Sequence, residues 1–319
     1  MHTAVSSVLG AIGNTPMVEL ARVGAGLPAK ILAKCEHLNP GGSVKDRIAL
    51  YIVEDAEARG LLRPGMTLVE ATAGNTGLGL ALVAAVKGYS LVCVLPEKMS
   101  EDKRSALRCA GARVIVVPNA PLDSPENFQA VAKRLARENQ WFLTDQFASV
   151  ANLRAHEETT GPEILAQCGG TIAAFVAGAG TGGTITGVAK YLKRACPSAK
   201  VLLADPAGSS LAQWVATGEL GPDGSYAIEG IGSSKPTPLM DRALLDRAIT
   251  VSDEEAFTMT QRLVREEGLF VGGSAGLGVA AAVRYVRETG CEGNVVVMLP
   301  DGWDRYRSKP WMSAWGAEK

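Results

Sequence analysis

Residues 172–184 read Ile172-Ala-Ala-Phe-Val-Ala-Gly-Ala-Gly-Thr-Gly-Gly-Thr184. An apolar run of strand length ends in a glycine cluster, and an amphipathic run of helix length, Gly183–Ala195, opens directly from it. A strand that breaks on glycines into a helix is the unit from which parallel sheets are wound. The same alternation extends outward on both sides. Strands are expected at Lys30–Cys35, Thr67–Glu70, Ser90–Leu95, Arg113–Val117, Trp141–Thr144, Ile172–Ala177, Val201–Ala204, Leu269–Val271 and Asn294–Leu299. Helices are expected at Val44–Arg59, Thr76–Lys87, Glu101–Ala110, Pro125–Glu138, Arg154–Gln167, Gly183–Ala195, Asp253–Glu267 and Ala275–Thr289. This rhythm implies an α/β fold with two parallel-rich open sheets and helices on both faces. Residues 207–240, rich in Gly, Ser and Pro, interrupt it and read as an ordered surface excursion.

The composition narrows the function. The chain has 319 residues, 47% of them hydrophobic and 20% charged, which is enough to bury a core without disulfides. A net charge of −1 supplies neither a basic footprint for nucleic acid nor a polybasic membrane patch. The uncharged run Ile164–Ala189 contains too many glycines and threonines for a membrane span and fits a strand-turn-helix better. Six cysteines with no CxxC-type spacing read as reduced thiols in a cytoplasmic protein, and three histidines make a His-based metal site improbable.

Four loops sit where strands run into helices, at the strand ends where parallel sheets bind ligands. Gly178 to Thr184 offers backbone N–H groups and a helix dipole to a phosphate, and Thr181 and Thr184 add hydroxyl donors that suit a terminal monoester. The same run matches G-x-G-x-x-G at Gly178, Gly180 and Gly183, and Asp205 ends the next strand, so a dinucleotide and a nicotinamide-dependent oxidoreductase stand as an alternative. Asn39-Pro-Gly-Gly-Ser-Val-Lys-Asp-Arg47 places Lys45 at a helix start, where a cation opposes the dipole. The lysine is relieved if it is neutralised as an imine; otherwise it is an ordinary solvated lysine. Glu70-Ala-Thr-Ala-Gly-Asn-Thr-Gly77 brings Thr72, Asn75 and Thr76 to a helix start, either as a cradle for a carboxylate or as plain capping. Gly272-Gly-Ser-Ala-Gly276 presents Ser274, either to cap its helix or to hydrogen-bond a ligand nitrogen.

Taken together, and with Ile12-Gly-Asn-Thr-Pro16, these loops resemble the fold-type II pyridoxal-phosphate β-synthases, the cysteine synthases and the catalytic core of the cystathionine β-synthases. The resemblance spans essentially the whole chain and implies a tryptophan synthase β-like fold. It implies a smaller, mobile substrate-loop domain over residues 43–148 and a larger phosphate-binding domain formed by 1–42 and 149–319. Pyridoxal 5′-phosphate is the implied cofactor. Lys45 would carry it and move protons at the substrate Cα. Asn75 would meet its 3′-oxygen, Gly180, Thr181, Gly182, Gly183 and Thr184 its phosphate, and Ser274 its pyridine nitrogen. Thr72, Asn75, Thr76 and Gln146 would face the substrate carboxylate, and Gly230 would lie beside the cofactor face.

The implied reaction is β-replacement on L-serine or an O-activated L-serine by a thiol, through an aminoacrylate. Details such as Pro96-Glu-Lys-Met-Ser100 and Asp205-Pro-Ala-Gly-Ser209 lean toward the cystathionine branch, with homocysteine giving cystathionine. A cysteine synthase using O-acetylserine and sulfide is the alternative. The implied partners are small amino-acid and thiol substrates and a second copy in a homodimer. Because the match begins and ends near the ends of the chain, a haem-binding extension and regulatory domains are not expected. The family usually has Ser where this chain has Ala73, which removes one hydroxyl donor from the carboxylate loop. Lys235, after the Gly230 turn, either pairs with the carboxylate of homocysteine or is solvated.

Overall fold

The computed structural model describes residues 4–72, 74–121 and 123–317. Ten strands form two sheets. They are β1 (Met17–Glu19), β2 (Ala29–Cys35), β3 (Thr67–Ala71), β4 (Ser90–Pro96), β5 (Arg113–Val117), β6 (Phe142–Leu143), β7 (Ala174–Ala177), β8 (Lys200–Pro206), β9 (Arg247–Val251) and β10 (Gly293–Leu299). The helices are α1 (Lys45–Ala58), α2 (Asn75–Lys87), α3 (Glu101–Cys109), α4 (Phe128–Asn139), α5 (Val150–Ala155), α6 (Gly161–Gln167), α7 (Gly183–Ala195), α8 (Leu211–Thr217), α9 (Asp253–Glu267), α10 (Gly273–Thr289) and α11 (Pro310–Ala317). Two units divide the chain. The smaller holds the described residues up to Gly13 and Asn39–Asn152; the larger holds Asn14–Leu38 and the described chain from Leu153 onward.

The smaller unit is built on the parallel sheet β5-β4-β3-β6. Successive side chains of a strand point to opposite faces, and both faces are apolar here. Leu68, Leu91, Cys93 and Leu95 pack with α1, α2 and Leu107 of α3. Val69, Ala71, Val92, Val94 and Val117 pack with Val131, Ala132 and Ala136 of α4. That explains why these strands read as continuous apolar runs. Helix α4 begins later than the Pro125 expected, because Asn127 caps it by accepting from the amide of Gln129 at 2.9 Å.

The larger unit carries the sheet β1-β2-β10-β7-β8-β9, parallel except for β1. One face packs its valines and isoleucines under α9 and α10. Phe175, Val201, Leu203 and Val296, all fully buried, alternate to the opposite face. Two expectations change here. Leu269–Val271 is not a strand but makes a single bridge, Val271 to Gly302. Only three residues separate the closing Gly268 of α9 from the opening Gly272 of α10, and the sheet edge beside β8 is taken by β9. The helix expected at Arg154–Gln167 is split, with a π-helical turn at His156–Thr160 between α5 and α6.

Lys34, on β2, is wholly buried and ties the sheet to α6. Its Nζ donates to the Thr15 carbonyl at 2.8 Å, to Glu163 Oε2 at 2.7 Å and to Gln167 Oε1 at 3.0 Å. Removing one partner of a buried pair leaves a desolvated charge, a loss of roughly 3–5 kcal/mol, whereas replacing both partners by apolar groups of similar size is often tolerated. Glu163→Leu is therefore expected to destabilise the protein far more than the double variant Lys34→Met/Glu163→Leu in urea unfolding. Equal losses would show that the pair contributes only packing.

Candidate active site

In the smaller unit the candidate residues gather at the starts of α1 and α2. Lys45 is the first residue of α1, its amide accepted by Ser43 Oγ at 3.2 Å. Asp46 turns back from the same helix start, and its Oδ2 accepts the Gly41 amide at 2.5 Å, which fixes the preceding Gly-Gly turn. A Cβ on Gly79 would sit 3.0 Å from the Lys45 carbonyl oxygen, so α1 and α2 touch backbone to backbone just where Lys45 leaves. Asn75 is the first residue of α2 and Thr76 the second. Gly74 is the cap and supplies no side-chain acceptor, so plain side-chain capping is not realised there. Thr72 Oγ1 accepts from the Gly74 amide at 3.3 Å. Ala73 lies outside the described residues.

Gln146 joins this group through a residue to which the sequence reading gave no role. Glu70, at the end of β3, is buried and gathers the loop after β6. Its Oε2 accepts from the Thr144 hydroxyl and from the Gln146 amide at 3.2 Å; its Oε1 accepts from Gln146 Nε2 at 3.4 Å and the Ala71 amide at 3.1 Å. Asp145, with φ +42°, makes the left-handed turn that aims the Gln146 amide at Glu70. Gln146 Oε1 in turn accepts from the Thr76 hydroxyl at 2.6 Å. The Thr76 proton is thus committed. The donors left for a carboxylate are the Thr72 hydroxyl, the backbone N–H groups opening α2 and the second amide hydrogen of Gln146. The signal in the sequence was a lone carboxylate inside the apolar strand Thr67-Leu-Val-Glu-Ala71.

In the larger unit, Gly178 to Thr184 joins β7 to α7. Gly182 caps α7 in the left-handed region at φ +79° and brings no side chain to the cap, while the Gly183 amide donates to Thr181 Oγ1 at 3.4 Å. Gly180 presses on the backbone: a Cβ there would overlap the Gly230 carbonyl, and Gly232 donates to the Ala179 carbonyl at 2.9 Å. The structure thereby brings Gly230 and the Gly180–Thr184 loop together. Thr237 holds the loop from the other side, donating to the Thr181 carbonyl at 2.6 Å. Ser274, second residue of α10, is buried, and its hydroxyl has no hydrogen-bond partner among the described residues. It does not cap its helix; Gly272 occupies that position and donates to the Asp301 carbonyl at 3.1 Å. Asp301 follows β10, which lies beside β7, so the Ser274 and Gly178 loops share one edge of the sheet.

Other chemistry finds less support. Asp205 is fully buried and its Oδ2 accepts from the Ala212 amide at the start of α8, so it holds a helix rather than a ribose. Burial pushes the thiols of Cys35 and Cys93 up to about 12 and that of Cys168 to about 11, which suppresses the reactive thiolate. Among the described residues no three His, Cys, Asp or Glu side chains cluster to hold a metal, and no helix is long and apolar enough to cross a membrane.

Uncapped amides around a tight glycine turn suit a phosphate monoester, and a buried neutral hydroxyl at a helix start suits a ring nitrogen. Comparison with known proteins agrees. The model of the pyridoxal-phosphate dependent enzymes matches residues 8–301, and the chain belongs to that family. Pyridoxal 5′-phosphate is therefore its cofactor. The chain is 47% identical to cystathionine beta-synthase of Oryctolagus cuniculus over 98% of its own length and 57% of that protein. It is 46% identical to cysteine synthase 1 of Neurospora crassa over 97% of its length and 84% of that protein. The crystal structure of O-ureido-L-serine synthase superposes with a TM-score of 0.88 at 37% identity, covering 99% of this chain and 100% of that one. The chain thus spans a little over half the length of the first of these relatives.

Burial pushes the Glu70 carboxyl up from its ordinary 4.5 to about 7, against the hydrogen bonds of Thr144 and Gln146 and with the help of the neighbouring Asp145 charge. Its folded value lies above its unfolded one, so its contribution to stability is complete below about pH 4.5 and is lost as the pH rises through 7. Urea unfolding of Glu70→Gln across this window should show a decline smaller than that of the wild type, by on the order of 3 kcal/mol. Parallel pH profiles for the two proteins would place the titration elsewhere.

Proposed function

We propose that the protein catalyses β-replacement on L-serine or an O-activated L-serine with a thiol as the incoming nucleophile, homocysteine giving cystathionine. The observation that carries the reading is Ser274, a buried neutral hydroxyl held without a partner at the start of α10. Bound pyridoxal phosphate supplies an electron-withdrawing ring that acidifies the Cα–H of an amino acid joined to it. A hydroxyl at the ring nitrogen, unlike a carboxylate, does not hold a proton there, and the weaker electron demand suits departure of a β-substituent. Lys45 would hold the cofactor through its Nζ, and the same amine would move the proton at the substrate Cα. Gly180, Thr181, Gly182, Gly183 and Thr184 bind the phosphate through backbone and hydroxyl donors, and Gly230 keeps a side chain away from the cofactor face. Asn75 donates to the 3′-oxygen. The Thr72 hydroxyl, the Gln146 amide and the backbone N–H groups of Asn75 and Thr76 bind the substrate carboxylate, with Glu70 holding Gln146 in place.

The second reading, cysteine synthesis from O-acetylserine and sulfide, has the support of relatives named cysteine synthase 1 at 46% identity. Product analysis separates the two. The purified protein would be offered serine, O-acetylserine and O-phosphoserine, each with homocysteine or with sulfide. Cystathionine is expected to form fastest. Cysteine from O-acetylserine and sulfide alone would select the second reading, and no product from any pair would contradict β-replacement altogether.

Lys235 is exposed beyond the Gly230 turn and is the group expected to meet the second carboxylate of homocysteine, which sulfide lacks. An exposed ion pair contributes at most about 1 kcal/mol. Lys235→Ala should raise KM for homocysteine several-fold and leave sulfide kinetics unchanged; equal effects on both nucleophiles would remove Lys235 from the thiol site.

A further inference from the structure

His156 is one of three histidines and lies outside every loop singled out in the sequence. It opens the π-helical turn His156–Thr160 and is fully buried. Such turns are rare and frequently occur at functional positions. Its ring bridges two hydroxyls: Nδ1 is 2.9 Å from Thr160 Oγ1, and Nε2 is 3.1 Å from Thr184 Oγ1. The approach of the two helices is built for this contact. Gly187, three residues beyond Thr184 on α7, faces the turn so closely that a Cβ would overlap the Leu153 carbonyl and come within 2.8 Å of His156 Cβ.

The chemistry of a hydroxyl makes the ring's orientation consequential. Thr184 has one proton to donate, and a phosphate monoester dianion can only accept. If Nε2 accepted that proton, Thr184 would present lone pairs to the phosphate. If Nε2 carries the hydrogen, it donates to Thr184 and the threonine proton is free to point at the phosphate. In a neutral imidazole the other nitrogen is then an acceptor, and the Thr160 hydroxyl stands in position to donate to it.

We propose that His156 is a positioning residue for the phosphate subsite: with Thr160 donating to Nδ1, the Nε2–H tautomer holds Thr184 so that its hydroxyl donates to the phosphate of the cofactor. This rests on the reading of Gly180–Thr184 as the phosphate loop.

The test follows two readouts in the holoprotein: cofactor retention in equilibrium dialysis and the phosphorus resonance of the bound phosphate. They are compared among wild type, His156→Leu, Thr184→Ala and the double variant. Thr184→Ala and His156→Leu should each weaken retention roughly five- to tenfold, the worth of one such hydrogen bond. The double variant should be no weaker than Thr184→Ala alone, and the resonance should move in the same direction in all three. His156→Gln, which keeps an N–H donor, should recover most of the loss. If His156→Leu fails to fold, Thr160→Val reads the same coupling, weakening retention in the presence of Thr184 and having no effect in its absence. If Thr184→Ala changes neither readout, the phosphate-loop reading itself fails. If Thr184→Ala weakens retention but His156→Leu does not, or the two losses multiply in the double variant, the positioning role is overturned while the loop stands.

Discussion

A parallel sheet obliges the chain to return along a crossover, so each following helix starts near the carboxyl end of a strand and leaves its first N–H groups without intrahelical partners. Such groups flank the candidate ligand loops of both units. In the smaller unit they open α2 at the end of β3; in the larger they open α7 at the end of β7. Gly74 and Gly182 occupy the two cap positions and bring no side chain to them; at α7 the Gly183 amide donates to Thr181 Oγ1 at 3.4 Å. A helix that needed only to be stable would gain about 1 kcal/mol from a Ser, Asp or Asn cap, as α9 does from Ser252. Here that gain is forgone at two helix starts, each next to candidate ligand residues.

Behind each open helix start lies a buried polar group that orients the visible one. Glu70 determines which way Gln146 and, through it, Thr76 point. His156 meets Thr184 in the same way, its Nε2 lying 3.1 Å from Thr184 Oγ1. Such groups are costly to bury unless their hydrogen bonds are made, and each makes one or more of its bonds to a residue of the candidate site, Glu70 to Gln146 and His156 to Thr184.

Much of this was legible in the sequence, for reasons that differ by element. Arg113–Val117, Gly183–Ala195 and Asp253–Glu267 coincide with their expected bounds because clear stop and start signals flank them, among them the Ser252–Glu255 capping box. The edge strand β9, Arg247–Val251, escaped notice because it follows the Gly- and Pro-rich excursion and buries only alternate residues. The three-residue β1 is too short to show a period. The π-helical turn broke a run that a 3.6-residue period reads as one helix. Lys45, Asn75, the Gly180–Thr184 loop and Ser274 stood out because each belongs to a run of glycines and hydroxyls at a strand–helix junction. Glu70 and His156 carry no local motif; only their partners, more than twenty residues away in the chain, give them meaning.

The central claim is that Lys45 is the residue to which pyridoxal phosphate is attached. Borohydride reduction of the holoprotein, followed by proteolysis and peptide mass mapping, tests it most directly. The account predicts a phosphopyridoxyl group on the peptide that contains Lys45 and on no other lysine. A label on a different lysine, or none on a protein that retains its cofactor, would contradict it.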